Sequence, residues 1–150
     1  MHVYRIQKVK YATDIRGIGS TLVSGRWHLA GKNPVLYTSS NVSLAILEYV
    51  VHLPPEVRPP NLLLLTLHIP DAAIIHIVEA DLPENWNKRG YHDNVQRWGT
   101  EWLANMTSLA IVVPSVTSPD HNILVNPGHP EFHSIKIIES RPITLDDRLI

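Results

Sequence analysis

The chain has 150 residues, 13 Lys and Arg against 14 Asp and Glu, nine His and no Cys, for a formal charge of −1. Near-neutrality excludes the broad basic footprint of a generic nucleic-acid binder, and the missing thiols exclude disulfides, a zinc–thiolate site and a Cys nucleophile. A hydrophobic fraction of 44% with so little net charge excludes a disordered chain.

This length predicts one domain spanning residues 1–150. The N-terminal run Met1 to Lys8 has no apolar core of the signal-peptide kind. Leu62 to Leu65, the longest aliphatic run, is far short of the roughly 18 residues of a membrane span. The expectation is a cytoplasmic protein without a membrane anchor.

In chain order, Val3 to Ile6 reads as a short strand. From Tyr11 to Gly31 the pattern dissolves into Gly, Ser, Thr and isolated charges, the composition of an irregular functional loop. Pro34 to Thr38 predicts a strand that leads into a helix. Ser39 or Ser40 can cap that helix, Val42, Ala45, Ile46, Tyr49, Val50 and Leu53 recur at helical spacing, and Pro54-Pro55 ends it. Leu44, Leu47 and Val51 make it apolar nearly all round, which predicts a buried helix. Strands are predicted over Leu62 to Ile69 and Ile74 to Val78, then a loop from Pro83 to His92. Asp93, with Gln96 three residues on, predicts the capped start of a second helix bearing Val95, Trp98, Trp102 and Leu103. Leu109 to Val113, Ile123 to Asn126 and Ser134 to Glu139 complete an α+β pattern richer in strand than helix.

Glu48 is the only charged residue of the first helix. An ionised carboxylate in apolar surroundings costs several kcal/mol unless it is paired, so Glu48 belongs to an ion pair, such as one with an Arg, or to a site. Gly25-Arg26-Trp27 offers a guanidinium beside a glycine, suited to close approach of a phosphate, and an indole that can stack or pack. Tyr37 ends the strand before the Glu48 helix, and Ser115 ends the apolar run after Pro114. Arg16-Gly17-Ile18-Gly19-Ser20 is glycine-dense but lacks the Gly-Lys-Ser/Thr of a phosphate loop. His129 and His133 are four apart, but Gly128 and Pro130 argue against a helical metal clamp, and no metal site is expected. No Gly-x-Ser-x-Gly elbow supports a serine hydrolase.

Taken together, the chain resembles the RES domain family. The resemblance runs through Tyr4-Arg5-Ile6, Gly17-Ile18-Gly19-Ser20, Gly25-Arg26-Trp27, Val35 to Ser39, Leu44 to Glu48, Gly99 to Leu103, Val113-Pro114-Ser115, Leu124 to Pro127 and Asp147-Arg148-Leu149. Two departures fall in the loop: Ser24 replaces a usual second glycine, and Arg16 to Gly19 lacks the acidic residue often found there. The resemblance implies an ADP-ribosyltransferase-like α+β fold, with small, largely antiparallel sheets around a cleft and short flanking helices. It also implies a toxin that consumes NAD as substrate with no further cofactor, by hydrolysis, phosphorolysis or protein ADP-ribosylation. The implied partner is a cognate antitoxin with an Xre-like helix-turn-helix, which plugs the cleft and makes the DNA contacts. On this reading Glu48, Arg26 and Tyr37 are catalytic, and Ser115, Asn126, Trp27 and Arg5 bind NAD. A cationic partner such as Arg26, or the substrate's pyridinium, would offset the charge of Glu48. A protein ADP-ribosyltransferase and a catalytically silent NAD-binding or docking module are the alternatives. An RNase is disfavoured by the charge balance.

Overall fold

A computed structural model describes residues 1–12, 14–59 and 61–150; Thr13, within the irregular loop, lies outside them. The strands are β1 (His2–Lys8), β2 (Leu36–Ser39), β3 (Leu62–His68), β4 (Ile74–His76), β5 (Ala110–Pro114), β6 (His121–Val125) and β7 (Lys136–Ile143). They form one seven-stranded sheet in the order β4-β5-β6-β2-β1-β3-β7. Every neighbouring pair is antiparallel except β4–β5.

Alternation along the central strands explains their unbroken apolar runs. On β5, Ala110 and Val112 enter one core with Val3, Leu36 and Leu65, whereas Ile111 and Val113 enter a second core with Trp27 and Leu103. Ile123 and Val125 of β6 join the first core and Leu124 the second. Strands buried on both faces lose the polar half of the usual period-two pattern.

Helix α1 (Val42–Val51) lies against the β1–β3 side, where Ala45 packs with Ile6, Leu62 and Leu64. Its cap differs from the serines expected from sequence. Asn41 has extended backbone geometry and its Oδ1 accepts from the Leu44 N–H at 2.8 Å. The helix is also less enclosed than its composition predicts, because only Leu44 and Ala45 are buried while Leu47 is 39% and Val51 59% exposed.

Helix α2 (Asp93–Asn105) starts one residue after its N-cap, His92, so Asp93 occupies the first turn and complements the helix dipole there. Gln96 does not close a capping box. Its Nε2 donates instead to Gly25 O at 2.9 Å, so the residue ties the helix to the irregular loop.

One irregularity of the sheet opens a cleft. β1 and β3 pair along seven registered residues, but β1 and β2 register only at Tyr4 and Ser39. Past Tyr4 the two strands part, and the Arg5 Nη1 donor reaches Tyr37 O at 2.8 Å across the opening. The seven-stranded sheet is thus joined across β1 and β2 by a single registered residue pair. No helix among the described residues is long and apolar enough to cross a membrane.

Candidate functional site

The splay opens into a cavity of about 990 Å³ lined from β1, β2, α1, the 25–27 turn, the 87–91 loop and the β5–β6 connection. That volume is at the upper end of the range for small-molecule sites. Its lining includes Glu48, Arg26, Tyr37, Trp27 and Arg5 of the residues expected from sequence.

Glu48 is half-buried, and three donors converge on its Oε1. Asn122 Nδ2 donates at 2.6 Å, Ser115 Oγ at 2.8 Å and Thr117 Oγ1 at 3.0 Å. A deprotonated carboxyl, acceptor only, satisfies such a set. Oε2 makes no hydrogen bond among the described residues, so one oxygen of this cavity-lining residue is anchored and the other is unengaged by protein. No ion pair holds Glu48 among the described residues, so Arg26, one of the two partners considered from sequence, does not pair with it here. Hydrogen bonding from neutral groups replaces it.

Arg26 occupies the tip of a tight turn closed by a bridge between Gly25 and His28, with the Gly25 N–H donating to His28 O at 3.2 Å. Its Nη1 donates to Trp86 O at 2.7 Å and Lys88 O at 3.0 Å, fastening the 83–92 loop beside the cleft. Arg26 is therefore a loop clamp as well as a cation facing the cavity. Three α2 positions spaced for one helix face hold this turn from behind. Gln96 binds Gly25 O, Thr100 Oγ1 accepts from the Leu29 N–H at 3.0 Å, and Gly99 meets the Trp27 backbone.

Trp27 is 3% exposed and belongs chiefly to the core, stacked on Trp86 and tilted against Trp98. Tyr37 contributes its ring to the cleft, while its hydroxyl sits 2.7 Å from His28 Nδ1. Burial is the main cause that pushes the Tyr37 phenol well above its ordinary range. Burial likewise lowers the Arg5 guanidinium from its ordinary value, with Asp14 acting in the opposite direction.

Asn126 does not join these groups. Its side chain is fully buried, donating to Leu103 O at 2.9 Å and accepting from the Gly128 N–H at 3.0 Å. It braces α2 against the end of β6 and lies outside the cavity lining. Ser115 is also absent from that lining and acts through its bond to Glu48.

Sequence reasoning missed Asn122, Thr117 and Tyr49. Ser39 Oγ donates to Asn122 Oδ1 at 3.1 Å, so β2 orients the amide that β6 presents to Glu48. Tyr49 is among the residues lining the same cavity; its hydroxyl is buried with no protein partner, and burial raises its phenol above the ordinary value. A buried hydroxyl without a partner is a polar group left for a ligand or water. The alternation Ser115-Val116-Thr117 was the one local signal that two hydroxyls share a face.

The histidines at 129 and 133 lie at a 3-10 turn, Pro130–Ser134, and bind backbone groups: His129 accepts from the Glu131 N–H, and His133 Nδ1 lies 2.8 Å from Pro130 O. Among the described residues no group of three or more His, Asp or Glu side chains is placed to hold a metal ion.

Comparison with known proteins gives a consistent result. The family model described as "RES domain" matches residues 2–146. "Toxin Res" of Photorhabdus laumondii is 34% identical over 154 aligned residues, covering 100% of this chain and 97% of that protein. The "Prs ADP-ribosylating toxin" of a Sphingobium species is 32% identical, covering 93% of this chain and 88% of that protein. In fold, the chain is similar to a structure described as the Mycobacterium tuberculosis MbcT–MbcA toxin–antitoxin complex. The TM-score is 0.76 at 14% identity, covering 95% of this chain and 84% of that one.

Proposed function

The chain belongs to the RES domain family, and we propose that it is the toxin of a toxin–antitoxin pair that depletes NAD by cleaving its nicotinamide–ribose bond. The observation that carries the reading is the half-anchored Glu48. One oxygen is fixed by Asn122, Ser115 and Thr117 and the other is unused, in a cleft that also holds the cations Arg5 and Arg26.

The reaction needs those elements. As the C1′–N bond breaks, its electron pair stays with nitrogen, nicotinamide leaves neutral, and positive charge develops on the ribose as in glycoside cleavage. Because the leaving nitrogen starts out cationic, acid catalysis adds little. A fixed carboxylate near C1′ stabilises the developing cation and accepts a hydrogen bond from a ribose hydroxyl. The cations hold the diphosphate, and the Tyr37 ring packs against the nicotinamide or its ribose. Attack by water gives ADP-ribose, nicotinamide and a proton; attack by inorganic phosphate gives the ADP-ribose phosphate ester. NAD is the substrate, and no other cofactor enters.

The partner is a cognate antitoxin with an Xre-like helix-turn-helix that closes the cleft and leaves this near-neutral chain without DNA contacts of its own. The name of the Sphingobium relative favours a second reading, in which a protein side chain accepts the ADP-ribose. Incubating the purified chain with NAD, with and without phosphate and with and without a bacterial lysate as a source of protein acceptors, and identifying the products by mass spectrometry separates these acceptors. Mass added to a protein in place of free product establishes the second reading. Binding without turnover in any arm establishes a silent module and overturns both.

A further inference from the structure

The cleft is longer than the reacting half of a dinucleotide requires, and β1 measures it. Tyr4 of β1 pairs with Ser39 of β2, and Ser39 pairs with Asn122 of β6, whose amide holds Glu48. Tyr4 thus marks the Glu48 end. Pro114, Val116 and Thr117 line that end, so a ligand with its reacting bond at Glu48 extends the other way, along β1. Lys8 lies four residues on, about 13 Å at the rise of an extended strand. Between the two, Arg5 bridges the opening to Tyr37 O. The cleft therefore presents a carboxylate, then a half-buried guanidinium, then a second cation.

The far end is built. Gln7, 5% exposed, accepts from Arg5 Nε at 3.1 Å through Oε1 and donates to Tyr11 O at 2.7 Å through Nε2. This relay fixes the Val9–Tyr11 turn relative to the guanidinium midway along the cleft. Tyr11 lines the cavity with its ring 52% exposed, and Lys10 Nζ covers one face at 4.7 Å from the centroid. Leu53 and Val57 add apolar lining to the same cavity.

Resting on the reading of the site as NAD-cleaving, we propose that Lys8 and Tyr11 form the subsite for the adenosine half of the dinucleotide. The open face of Tyr11 stacks on the purine, Lys8 meets the adenosine ribose or its adjoining phosphate, and Arg5 takes the diphosphate between. The order of charges matches the order of groups in the substrate. This end of the cleft lets the enzyme favour a dinucleotide over nicotinamide mononucleotide, which lacks the adenosine half.

The test compares wild type, Tyr11→Ala, Tyr11→Phe, Lys8→Ala and Lys8→Arg with NAD and with nicotinamide mononucleotide, and measures ADP binding to each by calorimetry. Base stacking of this kind is worth about 1–3 kcal/mol, so Tyr11→Ala lowers the NAD-to-mononucleotide ratio of kcat/KM about tenfold or more. ADP affinity weakens in parallel. Tyr11→Phe restores both values, and Lys8→Ala acts in the same direction with Lys8→Arg restoring it. An unchanged ratio together with unchanged ADP affinity in Tyr11→Ala and Lys8→Ala overturns the subsite. Tyr11-dependent ADP binding without NAD turnover supports the subsite and removes the proposed reaction, so the two fail separately.

Discussion

The Tyr37 hydroxyl donates its hydrogen bond to His28 Nδ1, 2.7 Å away, and the direction follows from the other side of the ring. His28 Nε2 lies 2.7 Å from Ser20 O and 3.0 Å from Val23 O, and carbonyls only accept, so Nε2 carries the proton. In the neutral imidazole Nδ1 is then the acceptor, and the phenol must donate. The same oxygen accepts weakly from the Trp27 N–H at 3.4 Å. Tyr37 therefore offers a substrate its ring and not its proton, and the 2%-exposed His28 ties the turn bearing Arg26 to β2.

Replacing that histidine tests the tie. His28→Leu leaves the Tyr37 hydroxyl and two loop carbonyls without their partner, and each such loss costs about 1–3 kcal/mol. The expected outcome is a lower urea midpoint and a raised KM for NAD, because Arg26 loses its fixed position. His28→Asn, whose side-chain oxygen can accept from Tyr37, recovers part of both. Equal midpoints and equal KM in wild type and His28→Leu would show that the turn is held by α2 alone.

The anchored oxygen of Glu48 makes a graded prediction. Glu48→Gln removes the charge and introduces an amide among three donors, so NAD turnover falls on the order of 100-fold or more. Asn122→Ala and Ser115→Ala each delete one of the bonds and leave the carboxylate. They are expected to lower kcat by a smaller factor, with Asn122 the larger because its contact, at 2.6 Å, is the shortest of the three. Steady-state kinetics with NAD read the order. A Glu48→Gln protein as active as wild type sinks the electrostatic role.

This network also shows what local sequence could and could not convey. A lone carboxylate in an apolar helix is conspicuous, and of the two settings it allows, an ion pair or a site, Glu48 lines a cleft and joins no ion pair among the described residues. Its partners come from the β5–β6 connection and from β6, 67 to 74 residues away in sequence, and strand pairing that no local pattern encodes brings them together. Asn126 attracted notice where Asn122 was needed. The two lie near opposite ends of β6, about 13 Å apart at strand rise, so only one can reach Glu48. Most elements were legible because the apolar period reports a core on one side or on both. The two-core alternation of β5 and β6, the splay at Tyr4 and the tie from α2 to the 25–29 turn depend on tertiary packing.

That tie predicts the effect of one added methyl group. A Cβ at Gly99 would lie 2.0 Å from Trp27 O, a backbone atom that cannot rotate aside. Gly99→Ala must push α2 away from the turn, despite the better intrinsic helix propensity of Ala. Overpacking of this kind typically costs about 1–3 kcal/mol. Thermal unfolding is expected at lower temperature than wild type, with near-ultraviolet dichroism changed where Trp27, Trp86 and Trp98 cluster. An unchanged or raised Tm would mean that the helix and turn are not in the described contact.

The raised phenol of Tyr37 makes stability depend on pH in the alkaline range. Burial holds its folded-state pKa above the unfolded value of 10.0. Below that value both states keep the proton and stability is independent of this group. As pH rises past 10, the unfolded chain loses the proton first, so the folded state binds more protons and stability falls with increasing pH. The slope approaches about 1.4 kcal/mol per pH unit for one such group, until the folded phenol itself ionises. Tyr37→Phe removes this contribution, so its urea midpoint is expected to decline less steeply than wild type between pH 10 and 11, even though it starts lower for want of the bond to His28. Midpoints measured at pH 8, 10 and 11 for the two proteins decide the matter, and parallel pH dependence would show that the Tyr37 hydroxyl is not buried in solution.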